Sequence, residues 1–434
     1  MNSRKFWLRR GLKKAYGRTD LAEHPMSSRA LVNRREGFAL AALISVFALS
    51  QAFRTLPAII VRDIEQAFQA TPEQIGTYAG IFHFTFAMMQ IPVGICLDRY
   101  GSRTVVLVFT AVAIAGAGLC AVAPSFAGLL LGQALIGVGC SPALMASLVY
   151  ISREYPSGRF GPLSGLIAAL GGLGMLLTTT PLAWCIEHTS WRIAVGVLGV
   201  LSALSLLACL SFVHESAKPA GRTETVAQAI KEIKTVVRRD TAGIFVLGFV
   251  TYAAVVAIRG LWIVPIFVNW HSFSLREAGY VAFAMTVAMI VGPALAGPLD
   301  PGPASRRGAI ILISAGLTLA LAVLALGAGF SATGNAAVTV LVGMLSSVTV
   351  LQYAYIRSNY PAAMIGRALA TFNMSVFLGI ATVQGASGAV AAWAVSAGLE
   401  QFSAVLCFIA VTTAAGLLLF SVLPRPVERL VRAR

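Results

Sequence analysis

Twelve apolar runs, each about as long as the roughly 20 residues a helix needs to cross a bilayer, follow one another along this chain. They lie near 38–61, 75–96, 104–123, 126–150, 162–184, 193–213, 241–268, 278–298, 308–330, 335–356, 365–392 and 402–423. Lipid offers no partner to a peptide N–H or C=O, so only helices or a closed barrel can carry such runs across. Barrel strands need about 9–11 residues each. Runs twice that length predict an all-α membrane protein with twelve transmembrane helices. A composition of 57% hydrophobic and 12% charged residues removes the soluble alternative.

The net charge of +16 invites a nucleic-acid partner, but its distribution argues against one. Residues 1–37 hold ten Lys/Arg against three acids, 214–240 six against four, and the tail from Pro424 four against one. The opposite loop, 62–74, has one Arg and three acids. Basic loops stay on the cytoplasmic side, so both termini and 214–240 are expected there, in a multi-pass cytoplasmic (inner) membrane protein. The basic N-terminus could also meet anionic lipid. No apolar core of a cleavable signal peptide precedes residue 38. The six cysteines lack metal-ligand spacing, and no nucleophile elbow, P-loop or zinc-protease motif occurs. Neither a cofactor, a metal nor an enzymatic activity is expected, and the partners are a small solute and membrane lipid.

Residues 214–240 are polar and basic and split the chain into halves: a tail 1–37, a bundle 38–213, the linker, a bundle 241–423 and a tail 424–434. An amphipathic helix is expected within the linker at 226–237. The halves echo each other. Arg54-Thr-Leu-Pro in the first helix answers Arg259-Gly-Leu-Trp-Ile-Val-Pro in the seventh, and GICLDRYGSR after the second answers GPLDPGPASRR after the eighth. Such internal symmetry marks transporters built from repeated bundles, with the solute bound where they meet.

The segment Gly94-Ile-Cys-Leu-Asp98-Arg99-Tyr-Gly101-Ser-Arg103 resembles the loop 2–3 signature of the major facilitator superfamily, G-x-x-x-D-R-x-G-R-R, with Ser102 in place of one basic residue. With the 6+6 pattern and the basic linker, the resemblance covers essentially the whole chain. It implies two pseudo-symmetric six-helix bundles, a monomer, and transport by alternating access. It also implies conformational gating at Gly94, Asp98, Arg99, Gly101 and Arg103, with the charge contacts made by Asp98, Arg99 and Arg103. The second copy is degenerate, with Asp300 and Arg306 retained and Ala296 at the first glycine position.

The same resemblance makes helices 3, 6, 9 and 12 peripheral, and those spans contain no charged, amide or histidine side chain. The others carry Gln51, Arg54, His83, Gln90, Gln133, Tyr252, Arg259, Gln352, Tyr353, Asn373 and Gln384. Several of these recur at helical spacing and predict a wet path through the protein. Singly, each amide is more often glue between helices than a ligand contact.

All seventeen Asp and Glu fall in tails, loops or helix ends, whereas Arg54 and Arg259 lie inside apolar runs. Arginine keeps its proton in proteins, so the expected counter-charge is the cargo. A small anion, organic or inorganic, would be held between Arg54 and Arg259 with Gln51, His83, Gln133, Tyr252, Gln352, Asn373 and Gln384 around it. The planar fork suits carboxylate, phosphate or nitrate. Two membrane arginines so placed resemble the organophosphate exchangers of the superfamily. The alternative is that each arginine snorkels outward or bonds backbone carbonyls.

Gln133 replaces the arginine that proton-coupled members often carry in R-x-x-x-G, and helix 5 lacks the Gly-Pro of drug/proton antiporters. His83 is the remaining candidate proton carrier, and Met285 with Met289 reads as core packing rather than a copper site. The expected function is a secondary transporter of a small anionic solute. The alternatives are an exporter of amphipathic drugs or metabolites, and a transporter-like receptor that binds without transport.

Overall fold

The computed structural model describes residues 34–155, 159–214, 236–296, 299–327, 330–360 and 364–424. The expectations for the basic N-terminal tail, for most of the linker with its amphipathic helix, and for the last ten residues lie outside them. The described residues contain eleven apolar helical spans, and the longest, Pro72–Val122, is two helices meeting at Gly101. That makes the expected twelve.

In chain order these are α1 (Arg34–Thr55, continued by Pro57–Phe68), α2 and α3 (the parts of Pro72–Val122 before and after Gly101), α4 (Phe126–Cys140 and Ala143–Glu154) and α5 (Phe160–Gly172, Gly174–Leu177 and Thr180–His188). Then come α6 (Trp191–Phe212), α7 (Ala242–Ala257, a π turn Ile258–Trp262, and Ile263–His271), α8 (Leu275–Ala296) and α9 (Pro303–Ala325). The last are α10 (Ala332–Leu345 and Val348–Asn359), α11 (Ile365–Ser396) and α12 (Gln401–Val422). Helices α1–α6 pack as one bundle and α7–α12 as the other. The end carrying Asp98 is called the motif face here, and the opposite end the far face.

Several inward-facing helices are broken, and the chemistry of each break is local. Pro57 has no N–H to return to Phe53, so α1 loosens just after Arg54 and restarts. In α4, Pro142 likewise forfeits a bond to Val138, whose carbonyl instead accepts from Ser141 N and, at 2.6 Å, from Ser141 Oγ. The matching place in α10 breaks at Ser346-Ser347. Helix α7 widens into a π turn at Ile258–Trp262, above Pro265. In α5, Thr178 and Thr179 leave the helical region.

The peripheral helices behave as expected along their interiors. Rows such as Val200, Leu204 and Leu207 on α6, or Leu312 and Leu319 on α9, face outward. Their ends do carry charge: α3 begins with Arg103, α6 with Arg192 and α9 with Arg306 and Arg307. The expected loop between α2 and α3 is smaller than the sequence implied, since helix continues to Tyr100 and only Gly101 departs (φ 79°, ψ 168°). Gly302, at φ 82° and ψ 170°, holds the same conformation before α9. The second loop therefore keeps the motif's turn glycine, one residue earlier than alignment on the aspartates places it.

The bundles touch from the far end to beyond mid-helix, where Asn373 of α11 reaches Gln90 of α2. Helices α2 and α11 meet backbone to backbone at Gly76 and Gly388 and again at Gly80 and Ala381. Helices α5 and α8 meet where Gly279 lies against Thr179 and Thr180. An ion pair, Arg276 Nη2 to Glu187 Oε2 at 2.8 Å, clasps the bundles at the far surface. At the motif end of α2, by contrast, Gly94 faces open space and the Asp98 side chain is 65% exposed.

Candidate substrate site and gates

Arg54 sits on the last turn of α1 before its break, 5% exposed. Its guanidinium lies 4.7 Å from the centroid of Phe377 and 5.4 Å from that of Phe86, rings that are themselves 4.3 Å apart. Tyr252 stands within hydrogen-bonding reach and Tyr353 close by. His83, fully buried, adjoins Arg54 and Gln384 and lies near parallel to Phe377. Its Nδ1 meets the Ala79 carbonyl, while its Nε2, both Gln384 amide atoms and Arg54 Nε have no aligned hydrogen-bond partner.

A short chain crosses between bundles beside this group. Tyr353 Oη donates to Asn373 Oδ1 at 2.7 Å, Asn373 Nδ2 donates to Gln90 Oε1 at 3.1 Å, and Gln90 Nε2 donates to the Phe86 carbonyl. The structure thus brings Arg54, His83, Tyr252, Asn373 and Gln384 together, and adds Phe86, Phe377, Tyr353 and Gln90. Gln51 lies one turn before Arg54 on α1, buried, with an unpartnered Oε1. Gln133 is buried in α4 with neither amide atom partnered. Gln352 instead donates to Thr251 inside the second bundle.

Arg259 is arranged differently. It is fully buried in the π turn, with Nε donating to Thr286 Oγ1 of α8 at 2.6 Å. Its Nη2 crosses to the first bundle, donating to the Met175 carbonyl at 3.0 Å and to Thr178 Oγ1 at 3.4 Å in the broken part of α5. Thr178 in turn bonds Thr55, the neighbour of Arg54. Of the two alternatives weighed for these arginines, bonding to backbone carbonyl is the one Arg259 displays. Sequence reading missed this set of threonines, although the run Thr178-Thr179-Thr180-Pro181 is an audible break signal in an apolar helix.

The motif residues make their contacts within bundles. Asp98 pairs with Arg153 of α4 at 3.5 Å, Arg99 lies over Tyr100, and Arg103 donates to the Leu210 carbonyl at the end of α6. In the second half Arg306 grips Asp300 through Nε and Nη2 and reaches the Ala354 carbonyl and Ser358 of α10. Those hydrogen bonds hold the Asp300 carboxyl below its ordinary range. Arg307, missed from sequence, is the counterpart of Arg103 and donates to the Phe420 and Ser421 carbonyls ending α12. Cations on the last carbonyls of a helix complement its dipole.

The chain thus has two six-helix bundles of like orientation, broken central helices and paired motif loops, the architecture of a repeated-bundle membrane fold. Residues 40–384 match the Major Facilitator Superfamily profile, and the chain belongs to that family. It is 27% identical over 168 residues to "Efflux pump bfoC" of Aspergillus brasiliensis, a match covering 38% of this chain and 29% of that one. It is 24% identical over 208 residues to "Niacin transporter NiaP" of Acinetobacter baylyi, covering 47% of each. The chain spans less than half the length of these curated relatives. Among solved structures, the D-xylose-proton symporter superposes with a TM-score of 0.71 at 15% identity, covering 90% of this chain and 98% of that one.

Proposed function

We propose that this chain is a secondary transporter whose cargo is a small organic anion, gripped by Arg54 at the meeting of the two bundles. One observation carries the proposal: the Arg54 guanidinium is buried among aromatic faces, with no carboxylate among its described neighbours. A permanent charge in so dry a place calls for a counter-ion. Tyr252, Tyr353, His83 and Gln384 supply further polar contacts, and Phe86 with Phe377 supports an apolar body. A relative named a niacin transporter agrees with a carboxylate on a flat ring. The basic segments favour a cytoplasmic membrane with both termini inside.

The second reading is export of amphipathic compounds, favoured by the same phenylalanine wall and by a relative named an efflux pump. Thermal unfolding of the purified protein separates the two. Nicotinate or benzoate should raise the unfolding temperature, because binding to the native state stabilises it, and tetraphenylphosphonium should not. Arg54→Gln should remove the response to the carboxylates, at a cost of about 2–5 kcal/mol in binding. An unchanged response in a folded Arg54→Gln protein, or a response to the cation alone, refutes the anion. Counterflow in proteoliposomes tests transport against binding without movement.

A further inference from the structure

We propose that Arg259 is a latch for the far-closed state, a fixed cation that bolts one bundle to the break in the other, and is not a ligand of the cargo. The inference rests on the chain being a transporter and is independent of the anion. Its geometry divides by bundle. Nε is anchored at home on Thr286, which itself donates to the Ala282 carbonyl, so the side chain is held in place on α8. Nη2 reaches out to Met175 O and Thr178 Oγ1 on α5. The acceptor exists because α5 is interrupted. Thr178 and Thr179 are off the helix, and the short turn Gly174–Leu177 presses against α1, where a Cβ on Gly174 would overlap the Ala48 backbone. A continuous helix would hold the Met175 carbonyl for its own Thr179 N–H, which here bonds Leu176 instead.

These contacts can persist only while α5 and α7 stay together. Charge-assisted hydrogen bonds in a dry interior are strong, so the closed state gains from them. Opening the far face would break the bonds to Met175 and Thr178 while admitting water to the guanidinium. The fully buried Nη1 has no partner in the closed state and would be relieved by the same water. The latch is therefore releasable: two bonds hold it shut and one orphan atom weakens it. Above it, between α5 and α8, Glu187 and Arg276 form the outer clasp. Below it, Thr178 bonds Thr55, next to Arg54, so the latch and the cargo arginine share a relay one residue long.

Hydrogen–deuterium exchange on the full chain in nanodiscs tests this, read on peptides covering 174–188 and 275–286. Arg259→Gln is expected to speed exchange there by about tenfold or more, the scale of one charged hydrogen bond. Arg259→Lys keeps the charge but cannot serve Thr286 and Met175 together, so it should also speed exchange. In both variants nicotinate should bind within about threefold of the unmutated protein, whereas Arg54→Gln should lose it. Exchange unchanged in both Arg259 variants overturns the latch. So does loss of nicotinate binding to match Arg54→Gln without faster exchange. If Arg259→Gln does not fold, Thr286→Val removes the anchor alone and should move exchange in the same direction. If the unmutated protein does not bind nicotinate, the anion reading fails while the exchange comparison still decides the latch.

Discussion

Replacing Gly76 with alanine adds one methyl group where two bundles touch, and nothing else. That methyl would stand 2.7 Å from the Gln384 carbonyl oxygen and 2.8 Å from Gly388 Cα. Ordinary contact begins at 3.4 Å, so α2 and α11 must part by about 0.7 Å locally (3.4 less 2.7). Both obstacles are backbone, and neither can rotate away. Overpacking of this kind costs about 1–3 kcal/mol. The cost falls only on the state in which the far halves are joined, because the contact exists only there. A two-state equilibrium would shift about 5- to 150-fold toward the far-open form. Alanine also favours helix over glycine by about 0.5–1 kcal/mol, but in both states alike, so that gain cancels. Hydrogen–deuterium exchange across 72–80 and 381–396 reads the far-open population directly. Gly118→Ala, a site with open space around it, serves as the control for propensity. If Gly76→Ala exchanges at those segments as slowly as the control, the glycine contact does not set the balance between states.

Gly94, facing open space here, should accept leucine without loss of thermal stability, yet transport should fall severely because the motif face can no longer close. Asp98→Asn should slow counterflow while leaving nicotinate affinity within about threefold and stability within about 1 kcal/mol, since the Asp98–Arg153 pair is largely exposed. The hydrogen bonds from Arg306 hold the Asp300 carboxyl below the ordinary aspartate value of about 3.9. Its contribution is present above that value and is lost as pH falls through the depressed one. Asp300→Asn should therefore lower the unfolding temperature at neutral pH and flatten the decline below about pH 4. For topology, a cysteine at exposed Tyr100 should be labelled only from the cytoplasm, and one at exposed Gln69 only from outside; the reverse result inverts the membrane orientation.

Span number and bundle division were legible because they depend on composition over about 20 residues, a scale at which neighbours matter little. The break after Arg54 has a letter, Pro57, although the run 38–61 reads as one unbroken helix. Not every break does. Ser346-Ser347 has no proline, so no residue there announces the break in α10. Glu187 and Arg276 look ordinary in sequence, each a charged residue at a helix end. Their 2.8 Å approach is a product of two helices from different halves. Arg307 was overlooked because its acceptors are backbone carbonyls at the end of α12, and a carbonyl has no letter in a sequence.

The same blindness explains why Arg54 and Arg259 read as equals. In sequence both are an arginine in an apolar run, eight or fewer residues from a proline, in matched helices. Pseudo-symmetry placed them alike, but their surroundings diverged. Helix α7 widens at Arg259 and turns its guanidinium toward oxygen atoms on α8 and on the broken α5. Helix α1 only loosens at Leu56 before Pro57, and the Arg54 guanidinium lies against rings from α2 and α11. Oxygen lone pairs bind a cation with direction, whereas ring faces attract it by about 0.5–2 kcal/mol and leave its N–H edge free. The two residues therefore differ in what they still lack. Arg259 spends Nε and Nη2 on acceptors from both bundles and leaves Nη1 without one, while Arg54 has no oxygen acceptor aligned with its Nε where the bundles meet. On the two proposals, one arginine of a matched pair bolts the bundles together and the other waits for a solute.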